Sequence, residues 1–166
     1  IYMPKNEENL IFNFQKLNLS RFMRLISLPF NYEIYLIVIA ILVFNKIINK
    51  KLLIYILLGQ FIIFNIKMIF GRNRPFENNK KINNLSKKNL ESRSFPSGHA
   101  FISYVICKII LRNIKFDNGI FYLLIKITPY LVAVSRVYLG VHYPTDVIFG
   151  LIFGIIYDYF YKFIVN

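Results

Sequence analysis

Leu52-Leu-Ile-Tyr-Ile-Leu-Leu-Gly-Gln-Phe-Ile-Ile-Phe-Asn-Ile-Lys67-Met-Ile-Phe-Gly71 is an almost uninterrupted apolar run whose one charge, Lys67, stands near its end. A helix needs about 20 such residues to span the hydrocarbon core of a bilayer. The chain around it has the same character: 166 residues, 56% hydrophobic and 17% aromatic, with a mean hydropathy of +0.48. That is too apolar for an ordinary soluble domain and long enough for one domain, residues 1–166. Four further segments, 31–48, 99–114, 119–137 and 145–165, carry comparable apolar runs. The fold expected is all-α, an integral membrane helical bundle with about five transmembrane helices.

Upstream, residues 9–28 alternate Leu10, Phe12, Phe14, Leu17 and Phe22 with Lys16, Arg21 and Arg24, the pattern of an amphipathic helix lying on the membrane surface. It has neither the short apolar core nor the small-residue cleavage site of a signal peptide, so removal is not expected. The long polar stretch 72–98 reads as a loop from its Asn, Lys and Ser content. Net charge is +13, which raises nucleic acid as a partner. The basic residues, however, collect at the ends of apolar runs, where they meet lipid headgroups, and form no single basic face. The lone cysteine, Cys107, excludes an internal disulfide and any multi-cysteine metal site.

If all five segments cross, three polar clusters emerge on one side: Lys67 to Pro75, Phe95 to His99, and Ser135 to Asp146. Their residue types suit phosphoryl transfer. A phosphate ester brings negative charge to a low-dielectric rim and needs fixed cations and amide donors; Lys67, Arg74 and Arg136 supply three charges. Ser97 and Gly98 open a helix, where N–H groups and the Ser97 hydroxyl can point at an anion. His99 and His142, the only two histidines in the chain, can divide the work between a nucleophile and a general acid–base. Asp146, four residues after His142, can accept its Nδ1–H. Spacing alone leaves open which histidine attacks.

The clusters closely resemble the three signature motifs of the type 2 phosphatidic acid phosphatase (PAP2) superfamily of membrane lipid phosphate phosphatases. Lys67, six residues, then Arg74-Pro75 matches the first; Pro96-Ser97-Gly98-His99 the second; Ser135-Arg136, five residues, His142, three residues, Asp146 the third. The resemblance implies His142 as nucleophile, His99 as acid and then base, Asp146 as orienter, and Lys67, Arg74, Ser97, Gly98 and Arg136 as phosphate ligands, with no metal and no cofactor. It covers residues 67–146. Many members have six spanning helices, and here the surface helix stands in place of the first, which puts lateral substrate entry in question.

The function implied is a metal-independent phosphatase acting on a lipid phosphate or diphosphate through a phosphohistidine, with undecaprenyl diphosphate favoured as substrate. Phosphatidylglycerophosphate, phosphatidic acid and lipid A phosphates are alternatives, as are a phosphotransferase using the same intermediate and a non-catalytic lipid-phosphate binder. The partners expected are the lipid substrate and membrane lipids, not nucleic acid. Basic residues are divided between the two faces, so charge bias leaves orientation open; the resemblance implies a multi-pass protein of the cell membrane with its site facing outward. Three structural expectations complete the reading. Arg72 stands behind the phosphate ligands. Lys126, costly in mid-segment, pairs with Asp158. Gly150 and Gly154 permit close helix contact, within the chain or between copies.

Overall fold

The computed structural model describes residues 5–46, 49–88 and 93–165. The last two residues of the expected segment 31–48 and positions 89–92 of the loop 72–98 lie outside them. Helices run in the order α1 (Lys5–Gln15), α2 (Ser20–Ser27), a 3₁₀ turn (Leu28–Phe30), α3 (Tyr32–Phe44), α4 (Lys50–Phe70), α5 (Pro75–Asn78), α6 (Gly98–Asn113), α7 (Gly119–Tyr138), α8 (Pro144–Tyr159) and α9 (Tyr161–Val165). The described residues contain no strand. In hydrocarbon a helix satisfies its backbone within one segment, so an all-helical bundle is what this composition permits.

Local chemistry fixes where the important helices begin and end. Asn49 caps α4 by accepting from Lys51 N–H at 3.0 Å. Gly71, in the left-handed region at φ +58°, stops it with an N–H bond to the Lys67 carbonyl. That stop puts Lys67 in the last turn. Asn118 caps α7, accepting from Ile120 N–H at 2.8 Å. At the other end α7 turns into α8 through Gly140 (φ +73°), where an added Cβ would lie 2.5 Å from the Asn83 carbonyl oxygen. Pro144 occupies the first turn of α8, with Tyr143 as N-cap.

Helices α6, α7 and α8 pack together at the centre, α4 lies along α6, and α2 along α7. Tyr55 on α4 stacks on Tyr157 of α8 at 4.5 Å, and each hydroxyl donates to the other residue's carbonyl, at 3.2 and 2.7 Å. Gly150 and Gly154 serve contact within the chain. A Cβ on Gly150 would stand 2.5 Å from the Ser97 carbonyl oxygen and one on Gly154 3.1 Å from Tyr104 Cβ, so both glycines let α8 close on the start of α6. Large apolar side chains such as Phe61, Ile69, Phe121 and Ile155 point outward, the arrangement expected when the solvent is lipid.

Helices stand at all five expected positions, but they differ in reach. The helix beginning at Lys50 and α7 are long and apolar enough to cross a membrane; a third span results if Ser20–Phe30 and Tyr32–Ile41, bent by 41°, count as one. Helices α3, α6 and α8 have 13, 16 and 16 residues.

Two expectations change. The segment 9–28 is not one continuous helix: it breaks after Gln15, and residues on both sides of the break are tied to protein. Ile11 is fully buried, Tyr138 Oη accepts from Leu19 N–H at 2.6 Å, and the Gln15 side chain donates to the carbonyls of Asn83 and Tyr138. Asp158 pairs with Arg112, not with Lys126. Both terminal guanidinium nitrogens meet the carboxylate, Nη2 to Oδ2 at 2.8 Å, and Arg112 also covers the Tyr161 ring. Arg112 lies in the last turn of α6, the immediate neighbour of α8, whereas Lys126 is exposed on α7. A planar fork also matches a carboxylate better than a single ammonium.

Candidate active site

The end of α4, the turn into α6 and the join between α7 and α8 meet around one open cavity of about 480 Å³. Six of the eight residues expected at the site lie on its wall: Lys67, Arg74, Gly98, His99, Arg136 and His142. Below this polar end the wall is mostly apolar, formed by Tyr35 and Leu36 of α3 and Leu57, Phe61 and Phe64 of α4, with Gln60 the polar exception. Leu57, Phe61 and Phe64 are also exposed on the outer surface. The cavity is therefore a cleft between α3 and α4. Along α4 its wall runs from Leu57 to Lys67, about 15 Å at 1.5 Å per residue, half the thickness of a bilayer's hydrocarbon core.

Each cation is held by protein oxygens. Lys67 Nζ donates to the carbonyls of Arg93 at 2.9 Å and Ser94 at 3.3 Å. Arg74, 3% exposed, donates from Nη1 to the Val141 carbonyl at 2.8 Å. Arg136, 4% exposed, donates from Nη1 to Ser27 Oγ at 3.3 Å. The bonds of Lys67 and Arg136 are to neutral oxygens, so the positive charge of these two is left largely for an anionic ligand.

His142 is buried in the join between α7 and α8. Burial holds its pKa well below the ordinary 6.5, and the nearby charges of Arg74, Lys67 and Arg136 lower it further. The ring is neutral at pH 7 and keeps a nitrogen lone pair. The expected hydrogen bond from His142 Nδ1 to Asp146 is not made. The two atoms stand 3.5 Å apart, and among the described residues Nδ1 has no hydrogen-bond partner. The carboxylate is turned elsewhere: Oδ1 accepts from Arg72 Nη1 at 2.8 Å and Oδ2 from Tyr143 N–H at 2.9 Å. At helix position N3, Asp146 closes the α8 cap, and that local bond sets its orientation.

Ser97 also departs from its expected role as a phosphate ligand. Its N–H donates to the Asp146 carbonyl at 2.9 Å, its hydroxyl oxygen caps α6 by accepting from Ala100 N–H at 3.4 Å, and it is fully buried. Gly98 and His99 are the residues of this turn that reach the wall.

Behind the wall, Arg72 stands where the sequence put it. It bonds Asp146, Thr145 Oγ1 at 2.7 Å and Glu7 at 3.3 Å, with its guanidinium 4.0 Å from the centre of the Tyr143 ring. Glu7, Ser27 and Asn31 were not legible as site residues. Asn31 Oδ1 lies 2.9 Å from His99 Nε2, yet by its position ahead of an apolar run it looks like a helix cap. Ser27 and Glu7 carry no motif, and their relation to the site is purely tertiary. Among the described residues, no three His, Cys, Asp or Glu side chains cluster as a metal would require.

The family model described as the PAP2 superfamily matches residues 50–166. The chain belongs to the PAP2 superfamily. One relative, YbjG of Escherichia coli K12, named for an undecaprenyl-diphosphatase activity, is 31% identical over 106 residues, covering 64% of this chain and 51% of its own length. Phosphatidylglycerophosphatase B of Bacillus subtilis is 36% identical over 78 residues, 43% of this chain and 38% of its own. The chain thus spans about half or less of the length of these curated relatives. Two crystal structures share the PAP2 fold: LpxE of Aquifex aeolicus, with a TM-score of 0.75 at 24% identity, covering 96% of this chain and 94% of that one; and the transmembrane PAP2-type phosphatidylglycerolphosphate phosphatase of Bacillus subtilis, with 0.70 at 23%, covering 98% and 88%.

Proposed function

We propose that this PAP2 protein is a metal-independent phosphatase that hydrolyses a lipid diphosphate or monophosphate at the membrane surface through a phosphohistidine. The observation that carries this reading is the joint presence of both histidines and three cations at the polar end of one cleft whose remaining wall is mostly apolar. A headgroup fits the charged end while its tail lies between α3 and α4. That geometry favours lateral entry from one leaflet.

In the first step a His142 ring nitrogen, Nε2 by the position of Asp146 beside Nδ1, attacks phosphorus. An N–P bond forms and the ester or anhydride P–O bond breaks. His99 gives its proton to the departing oxygen. Lys67, Arg74 and Arg136 hold the non-bridging oxygens, whose charge builds in the transition state. Water then attacks phosphorus, its proton passes to His99, the N–P bond breaks and inorganic phosphate leaves. Asp146 acts at 3.5 Å as a fixed negative charge beside the imidazolium, itself held by Arg72.

Undecaprenyl diphosphate is the substrate we favour, supported by the name of the Escherichia coli relative; phosphatidylglycerophosphate, supported by the name of the Bacillus relative, is the second reading. The site faces outward in this reading. Phosphate release by the purified protein from a panel of lipid phosphates, with and without chelator, tests it. Release is expected to be fastest on the polyprenyl diphosphate, unaffected by chelator and abolished in His142→Ala. Turnover that phosphorylates an added lipid or sugar alcohol, with free phosphate below stoichiometry, would make the protein a phosphotransferase instead.

A further inference from the structure

Asn31 occupies the N-cap of α3, a position where Asn normally turns its side chain back onto the helix and contributes about 1 kcal/mol. Here it makes no side-chain cap bond. The residue is 9% exposed, and its amide oxygen reaches across to His99 Nε2 at 2.9 Å, 68 positions along the chain. The local hydrogen bond is forgone for a distant one to a ring on the cavity wall.

An amide oxygen can only accept, so this bond requires the hydrogen on Nε2. The other nitrogen, Nδ1, is then the one free to release or take up a proton. We propose that Asn31 is a positioning residue for proton transfer: by holding His99 Nε2–H it fixes the ring's tautomer and plane and assigns the acid–base work to Nδ1. The inference rests on the phosphatase reading above and on His99 as its general acid. In the first step His99 acts as the imidazolium, the form favoured beside the bound phosphate's negative charge: its Nδ1 proton goes to the leaving oxygen as the P–O bond breaks, leaving the neutral ring with its hydrogen on Nε2. In the second, water's proton returns to Nδ1. Asn31 itself neither gains nor loses a proton. Its neutral amide orients the ring without adding a second negative charge beside the substrate's own.

The test uses two esters that differ in their need for an acid. An alkyl alcohol leaves phosphorus with difficulty unless protonated, whereas p-nitrophenolate leaves as the anion. The quantity read is kcat/KM, which reports the steps through departure of the leaving group and is insensitive to later hydrolysis of the phosphohistidine. Asn31→Gly removes the acceptor at a position where Gly is tolerated as a cap. It is expected to lower kcat/KM on a short-chain phosphatidic acid about 10- to 100-fold, part of what a general acid contributes, and on p-nitrophenyl phosphate by less than about threefold. Asn31→Asp keeps an acceptor oxygen in place and should restore much of the loss on the lipid ester. If Asn31→Gly does not fold, Asn31→Ser takes its place, since Ser is a good cap too short to reach His99.

His99→Ala serves as the reference and should show the same split between the two esters. If it does and the Asn31 variants lower both esters equally, or lower neither, the positioning role is wrong while the acid assignment stands. If His99→Ala lowers both esters equally, the acid assignment itself fails and this proposal falls with it.

Discussion

Arg72 Nη1 stands 2.8 Å from Asp146 Oδ1, and both side chains are withdrawn from solvent, at 7% and 0% exposure. The expected dyad of His142 and Asp146 is thus the front of a longer chain that continues through Arg72 to Glu7. Removing Arg72 leaves Asp146 as a buried uncompensated carboxylate, a change that costs about 3–5 kcal/mol for pairs of this kind. Arg72→Met is expected to lower both the melting temperature in detergent and phosphatase activity. Arg72→Lys keeps the charge but cannot meet Asp146, Thr145 and Glu7 together, so it should recover only part of either. Full activity in Arg72→Met would remove Arg72 from the site's support.

The lowered pKa of His142 sets a pH dependence with a definite sign. In the proposed mechanism the protonated ring cannot attack phosphorus, so activity is expected to fall as pH drops through the folded value, which burial and three neighbouring cations place below 6.5. The unfolded chain binds this proton at its ordinary value and the folded chain only lower down, so stability contributed by neutral His142 is present above 6.5 and declines as pH falls through the window beneath it. Because the chain has two histidines, NMR titration of a His99→Gln protein reads His142 alone. A midpoint at or above 6.5 would contradict the environment described for it.

On the other side of the bundle, the pair of Arg112 and Asp158 predicts a contrast. Asp158→Asn is expected to lower thermal stability in detergent by about 1–3 kcal/mol, less than for a fully buried pair because Arg112 is partly exposed. Lys126→Met should be neutral or stabilising, since it removes an exposed charge from an apolar helix. Equal losses in both variants would restore Lys126 as a partner of Asp158.

Glycine substitutions on α8 should be graded by what they strike. Gly150→Ala would put a methyl group 2.5 Å from the Ser97 carbonyl oxygen, a backbone atom of the turn that carries Gly98 and His99. Gly154→Ala meets a Tyr104 side chain at 3.1 Å. Activity is expected to fall at least about tenfold in the first, through displacement of that turn, and little in the second. An unaffected Gly150→Ala enzyme would mean that α8 does not set the position of the second motif.

Orientation is open to a direct measurement. Ser86 lies on the site-face loop, and the native Cys107 is 4% exposed, so a maleimide too polar to cross membranes should label Ser86→Cys in intact cells if the site faces outward. Labelling only after permeabilisation would place the site in the cytoplasm.

The sequence carried the chemistry of the wall further than its support. Lys67, Arg74, His99, Arg136 and His142 were legible because three spaced clusters each flank an apolar run, and helix ends bring such clusters together. Asp146 and Ser97 were identified, but the bonds they make in the structure were not foreseen. Each is drawn into a helix cap, and that local hydrogen bond prevails over the longer reach to histidine or phosphate. The Arg112 pairing was missed because counting depth along helices says nothing of which helices are neighbours. Asn31 and Ser27 were hidden for a related reason: a polar residue near a helix end has an adequate local explanation, and only the fold shows that its side chain is spent elsewhere.

Ser27 on Arg136, Asn31 on His99 and Glu7 on Arg72 all come from residues that precede the stretch matched by the family. Part of what holds the site residues therefore lies outside the matched stretch, beside support within it from Arg72 on Asp146 and the Val141 carbonyl on Arg74. Grafting residues 50–166 behind the leading segment of another family member would transfer every signature residue and still remove the contacts from Ser27, Asn31 and Glu7, so the matched stretch alone does not carry the whole site.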